Sequence, residues 1–188
     1  MDLTWLQRFG AASGVLLGLS IGVPGAVEAF TGETSATSFV LGLGTALSAP
    51  AVTALYLHHH AAAGRFGAAA YAVNVLGLGL FTGVAFALNL VVFHLDESTV
   101  DTLRDGPFGT ALLISAVVFV AGTILFSVSM LRSGGFPRLP AAGYGVSLTL
   151  LAVLAPLPDT PATSLVHVLA AASIGWLALS VLPASGGQ

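Results

Sequence analysis

The chain contains no cysteine and no lysine. Without cysteine there can be no disulfide, no thiolate nucleophile, no thiolate metal site and no iron–sulfur cluster. All five basic residues are arginines, and no basic patch forms, so nucleic acid is not an expected partner. Charged residues make up 7% of the 188 positions, where a soluble domain carries about a quarter. No phosphate-cradling loop, zincin motif or serine-nucleophile elbow is present, and neither a cofactor nor a metal is expected.

What the chain has instead is apolar length. Hydrophobic residues account for 56% of it, and the mean hydropathy is +0.97. Six stretches lack Asp, Glu, Lys and Arg: 9–27, 34–57, 66–93, 106–131, 139–158 and 160–188. A spanning helix needs about 20 apolar residues, and in hydrocarbon each backbone polar group must be satisfied within its own segment. The expectation is a single integral membrane domain over 1–188, an all-α bundle of six transmembrane helices near 9–27, 37–57, 67–93, 108–131, 140–156 and 163–182. The lipid bilayer is its first partner.

The arginines orient this bundle. Arg8, Arg65, Arg132 and Arg138 fall before span 1, in loop 2–3 and in loop 4–5. Loop 1–2 holds Glu28 and Glu33, loop 3–4 holds Asp96, Glu97, Asp101 and Asp105 with Arg104, and loop 5–6 holds Asp159. The positive-inside rule then places both termini in the cytoplasm of a plasma membrane. Val27-Glu28-Ala29 has the form of a signal-peptidase site. The weak preceding n-region (one Asp, one Arg) favours a retained helix.

Spans 1, 3 and 5 open alike: Arg8-Phe9-Gly10-Ala11-Ala12, Arg65-Phe66-Gly67-Ala68-Ala69 and Arg138-Leu139-Pro140-Ala141-Ala142, with Tyr71 and Tyr144 each six residues after the Arg. Gly44-Thr45-Ala46-Leu47 and Gly109-Thr110-Ala111-Leu112 echo each other on spans 2 and 4. The pattern fits three tandem helical hairpins, or a shared demand for Arg at helix starts in an Ala/Gly-rich chain. Span 1 carries Gly10, Gly14, Gly18 and Gly22, one stripe at i, i+4 spacing. Such a stripe lets another helix approach closely, either within the chain, in a second copy or in a membrane partner. Pro24 and Pro50 are candidate bends.

The polar residues at membrane depth are few. With Asn74 at zero, Tyr71, Thr82 and Asn89 lie near about 60°, 80° and 60°, at 100° per residue. These four share one face, which either hydrogen-bonds between helices or lines a cavity or permeation path. His94 and His167 lie near the acidic surface with Glu28, Asp96, Glu97 and Asp159. Such a cluster serves acid–base chemistry or simply meets water and headgroups. The run His58, His59, His60 spreads about 100° per residue, so it cannot all ligate one ion, and reads as a solvated helix end. No charge is expected inside a span.

The segment from Gly122-Thr123-Ile124-Leu125-Phe126 to Arg132-Ser133-Gly134-Gly135-Phe136-Pro137-Arg138 resembles small multi-pass membrane proteins of actinobacteria and related bacteria. In those, a span ending in Arg is followed by a Gly-containing turn and Pro-Arg. The resemblance covers one span and one loop, implies a bacterial plasma membrane and implies no site residues. Three functional readings follow. The first is a non-catalytic protein, either an accessory or regulatory subunit or a binder of a lipophilic ligand. The second is a permease for a small neutral or lipophilic solute. The third is a membrane enzyme at the acidic surface.

Overall fold

The computed structural model describes residues 3–155 and 160–182, and these are all-helical with no strand. Helix α1 covers Leu3–Thr31, α2 Ser35–Gly44, α3 Ser48–Leu90, α4 Glu97–Arg104, α5 Pro107–Ser133, α6 Arg138–Leu154 and α7 Pro161–Val181. A 3-10 turn over Thr45–Leu47 joins α2 to α3. It falls where Pro50, lacking an N–H and crowding the carbonyl four residues back, disfavours regular α-helix.

α3 is two helices. Gly64 has φ 57° and ψ −151°, a backbone region open essentially to glycine alone. The flanking residues pair across it. Thr53 Oγ1 lies 3.0 Å from the Tyr71 hydroxyl, Ser48 Oγ lies 3.4 Å from Thr82 Oγ1, and Gly42 faces Asn89 and Leu90. Falling numbers on one side meet rising numbers on the other, so the chain reverses at Gly64 into antiparallel arms, 48–63 and 65–90.

Helical stretches long and apolar enough to cross a membrane are Thr4–Thr31, Ser35–His94 (which contains the reversal), Pro107–Ser133 and Pro161–Val181. α6 is shorter, at 17 residues. The surface is rich in apolar side chains. Phe30, Leu76, Leu113 and Val146 are more than 60% exposed, while Ser38, Asn74, Thr123 and Ser129 are buried. Exposed apolar area on this scale is compatible with a membrane or another apolar contact.

The helices approach one another over small residues. A Cβ on Gly14 would come 2.7 Å from Ala178 Cβ, on Gly18 2.9 Å from the Ala171 carbonyl oxygen, and on Gly22 2.6 Å from Ala171 Cβ. At Gly10 it would collide with Ala54 and Pro50. The glycines of α1 therefore face the chain's own α3 and α7. A second crossing is equally close: a Cβ on Gly77 would meet the Phe119 backbone at 2.6 Å, and one on Gly122 the Asn74 Cα at 2.6 Å. Close backbone approach at small residues is the main source of helix association in lipid.

α1 and α7 run antiparallel, Gly14 facing Ala178 and Gly25 facing His167, so the start of α1 and the end of α7 share one end of the bundle. At that end Arg132 lies 5.2 Å over the Phe66 ring, a cation–π contact, next to Arg65. The opposite end carries Glu28, Glu33, Asp96, Glu97, Asp101 and Asp105.

Three expectations need correction. α1 does not stop at Val27 but continues to Thr31, which brings Glu28 into the helix as a buried side chain, 6% exposed. The third loop contains a helix, α4, held by its Asp96 cap. The echoed Gly-Thr-Ala-Leu segments differ in structure: one loosens into the 3-10 turn, whereas the other lies in the first turns of α5.

Candidate functional site

Between α1, α2, both arms of α3, α5, α6 and α7 lies a cavity of about 380 Å³. Its wall is mostly apolar, with Leu17, Ile21, Leu78, Phe119, Leu148 and Ile174 among the lining side chains. Polar groups punctuate it. Thr45, Ser48 and Thr82 form a step midway, where Thr82 Oγ1 donates to the Thr45 carbonyl at 3.2 Å. The charged residues Glu28, Glu33 and Arg104, with His167, line only the acidic end.

Local structure explains this mouth. His167 sits nearly two helical turns into α7 and its Nδ1–H donates to the Thr163 carbonyl at 2.9 Å, which fixes the ring. The ring packs over Gly25, where a Cβ would collide with it. Glu28 lies one turn beyond Gly25 on the same helix, so α1 and α7 bring a carboxylate and an imidazole to one region. Glu33 accepts from Ser38 Oγ at 2.7 Å.

The polar face of the third span divides. Thr82 and Asn89 line the cavity, Asn89 also donating to the Ala85 carbonyl at 2.8 Å. Asn74 is fully buried, and its Nδ2 donates to the Tyr144 hydroxyl at 2.9 Å. Among the described residues its Oδ1 has no hydrogen-bond partner. Tyr144 lines the cavity; Asn74 does not. Tyr71 stacks on Tyr56 at 4.3 Å near the arginine end and serves packing there. The tyrosines in equivalent positions of the sequence echo, Tyr71 and Tyr144, flank the Phe126 ring at 6.4 and 6.1 Å.

The expected histidine–carboxylate cluster also divides. Glu28 and His167 meet the cavity, whereas His94, Asp96 and Glu97 are exposed outside it, and Asp159 lies outside the described residues. Asp96 is a helix cap: it accepts from Ser98 Oγ, Thr99 Oγ1 and the Thr99 N–H. Those hydrogen bonds, Ser98 first, hold its carboxyl at about 2, below the ordinary carboxylate value.

The histidine run is not uniformly solvated. His58 and His60 are exposed, but His59 is 2% exposed. Its Nδ1–H donates to the Leu55 carbonyl at 2.7 Å, and Nε2 lies 3.3 Å from Ser129 Oγ. Phe126 and Phe136 enclose the ring. Among the described residues no three of His, Asp and Glu converge as a metal site.

Nothing in the sequence pattern marks Glu33 or Tyr144 as site residues, or Gly77 and Gly122 as packing residues. Arg104 had one visible signal: it is the lone cation of its loop. Comparison with protein-family models, curated proteins and solved structures returned no match to the chain.

Proposed function

We propose that this chain is a non-catalytic, six-span plasma-membrane protein that binds a lipophilic small molecule in its interior cavity. The observation that carries the reading is the cavity of about 380 Å³, apolar along its body and polar at one end. That is the usual form of a small-molecule site. Filling apolar space recovers roughly 24 cal/mol per Å³, so a ligand occupying a third of the cavity gains on the order of 3 kcal/mol from that source. The six spans correspond to α1, α2 continued into the first arm of α3, the second arm of α3, α5, α6 and α7. The gathering of Arg8, Arg65, Arg132 and Arg138 supports cytoplasmic termini. The turn-and-Pro-Arg resemblance adds support for a bacterial membrane.

A thermal-shift screen of lipophilic compounds in neutral detergent tests the binding. A ligand at about 100 times its Kd stabilises by about 2.7 kcal/mol. Ala85→Phe, which puts a ring at a cavity-lining position, should abolish the shift without lowering the folded yield. No stabilising compound, or equal shifts in both proteins, would remove the cavity from consideration. Topology is tested separately on a chain with no native cysteine. Single Cys at Ser35, Ser98 or Thr160 should react with an impermeant thiol reagent outside whole cells, and Cys at Ala62 or Gly134 should not.

The permease reading draws on one observation, that Thr82 and Asn89 face the cavity. Flux of the bound compound across proteoliposomes would favour it over storage or sensing.

A further inference from the structure

Two turns of the chain meet at the arginine end. One is the reversal at Gly64, and the other joins α5 to α6 over 134–137. A Cβ on Gly135 would lie 3.0 Å from His59 Cβ, and the Phe136 ring lies 4.9 Å from the His58 ring. Arg132 reaches across to the Phe66 ring. The packing of these turns therefore gathers Arg65, Arg132 and Arg138 into one patch. Arg8 stands at the same end, near the start of α1.

All four arginines are exposed. Among the described residues none of their guanidinium groups has an ion pair or a hydrogen bond, and no Asp or Glu shares their end. Asp2 lies outside the described residues, and one carboxylate could not neutralise four cations. Each arginine of the patch also has an exposed apolar neighbour in the chain: Phe66 beside Arg65, Leu131 beside Arg132 and Leu139 beside Arg138. Trp5 and Phe9, stacked at 5.5 Å, are exposed on either side of Arg8 in the same way.

This end thus offers cations and apolar surface together. A soluble phosphate or a nucleic acid would engage the cations and leave the apolar side chains in water. A phospholipid answers both, with its headgroup at the guanidiniums and its acyl chains against the apolar neighbours. Charge then selects among lipids. A guanidinium can hold a phosphate through two parallel N–H bonds, and a zwitterionic headgroup brings its own cation to compete for that phosphate.

We propose that the patch of Arg65, Arg132 and Arg138 binds the headgroup of an anionic phospholipid. This rests on the membrane part of the reading above and is independent of the cavity. A basic side chain at a membrane surface brings about a fivefold gain in anionic-lipid binding, and salt screens exposed charges.

The test uses the full chain in neutral detergent at low ionic strength. It is incubated with phosphatidylglycerol or phosphatidylcholine of identical acyl chains at equal concentration, and retained lipid is counted by native mass spectrometry. Phosphatidylglycerol should be retained at least about tenfold better. Arg65→Gln, Arg132→Gln and Arg138→Gln should each lower that ratio by about fivefold, with phosphatidylcholine retention unchanged. Arg65→Lys, which keeps the charge, should preserve most of the preference. Arg104→Gln, at the opposite end, should preserve all of it. Excess glycerol phosphate, a headgroup without chains, should not displace the lipid.

Equal retention of the two lipids would overturn the proposal, as would a preference that survives all three Arg→Gln changes or falls equally in Arg104→Gln. Displacement by glycerol phosphate would overturn it in favour of a soluble phosphate compound. Each of these results leaves the membrane reading standing, whereas recovery of the chain in the soluble fraction without detergent would overturn that reading and this proposal with it. Should Arg132→Gln lose its fold with the Phe66 contact, Arg138→Gln decides, since its guanidinium touches no other described group.

Discussion

The α1–α7 crossing can be tested one methyl group at a time. A Cβ on Gly22 would lie 2.6 Å from Ala171 Cβ, and one on Gly18 would lie 2.9 Å from the Ala171 carbonyl oxygen. Ordinary van der Waals contact begins near 3.4 Å, so either alanine forces the helices apart by several tenths of an ångström. Overpacking of this kind costs about 1–3 kcal/mol. The two sites differ in what they strike, a side chain at Gly22 and a backbone oxygen at Gly18. Ala171→Gly removes the first obstacle and leaves the second. In reversible unfolding by steric trapping or in mild denaturant, Gly22→Ala should therefore be rescued by Ala171→Gly. The expected coupling is about 1 kcal/mol or more, within the range for residues in contact. Gly18→Ala should show no such rescue. Gly79, with nothing within 4 Å of an added Cβ, is the internal control, and Gly79→Ala should be neutral or stabilise by up to about 1 kcal/mol through helix propensity. Equal costs at Gly18, Gly22 and Gly79, or rescue at both Gly18 and Gly22, would refute the packing geometry.

Two further outcomes follow from single hydrogen-bonded groups. Tyr144→Phe removes the partner of the Asn74 amide and should cost about 0.6–1.7 kcal/mol of unfolding free energy. In the Asn74→Leu background the same change should cost nothing, and an undiminished cost there would show that the bond is not what stabilises Tyr144. At the acidic end, the lowered carboxyl of Asp96 makes the cap of α4 pH-dependent. The folded value of about 2 lies below the ordinary value, so the cap's contribution is complete above about pH 4 and is lost as the pH falls toward 2. Intrinsic-rate-corrected exchange of the Thr99 and Val100 amides should speed up over that window in the wild type and not in Asp96→Ala. Identical pH profiles for the two proteins would rule the cap out.

The helices were legible in the sequence because charge-free runs of this length favour helix, and all six runs lie largely on helices among the described residues. The same criterion misplaced Glu28. A search that ends each span at the first charge cannot know that α7 packs against Gly25 and encloses the next turn of α1. The chain reversal was legible at Arg65, but the choice of Gly64 as its pivot depends on a φ/ψ region that only glycine reaches. α4 was missed because its residues are polar and brief; the signal was Asp96 three residues before Thr99, a cap for the exposed amide. The polar face of span 3 was legible as a stripe, yet helical angles say nothing of partners. Asn74 meets Tyr144, 70 positions away, while Thr82 and Asn89 meet the cavity. The cavity itself was not legible, since its volume depends on how closely glycine-lined helices converge around it. His59 was misread for a related reason: its burial comes from Phe126 and Phe136, which lie outside its own helix.

The account stands or falls on where a lipophilic molecule sits. A diazirine-bearing alkyl probe, photolysed on the purified protein and mapped by peptide sequencing, reads that location directly. The account predicts saturable labelling at Ile21, Leu148 or Ile174, which line the cavity, with competition by excess unlabelled ligand and loss in Ala85→Phe. Labelling confined to outward residues such as Leu76, Leu113 and Val146, unaffected by competitor or by Ala85→Phe, would contradict it.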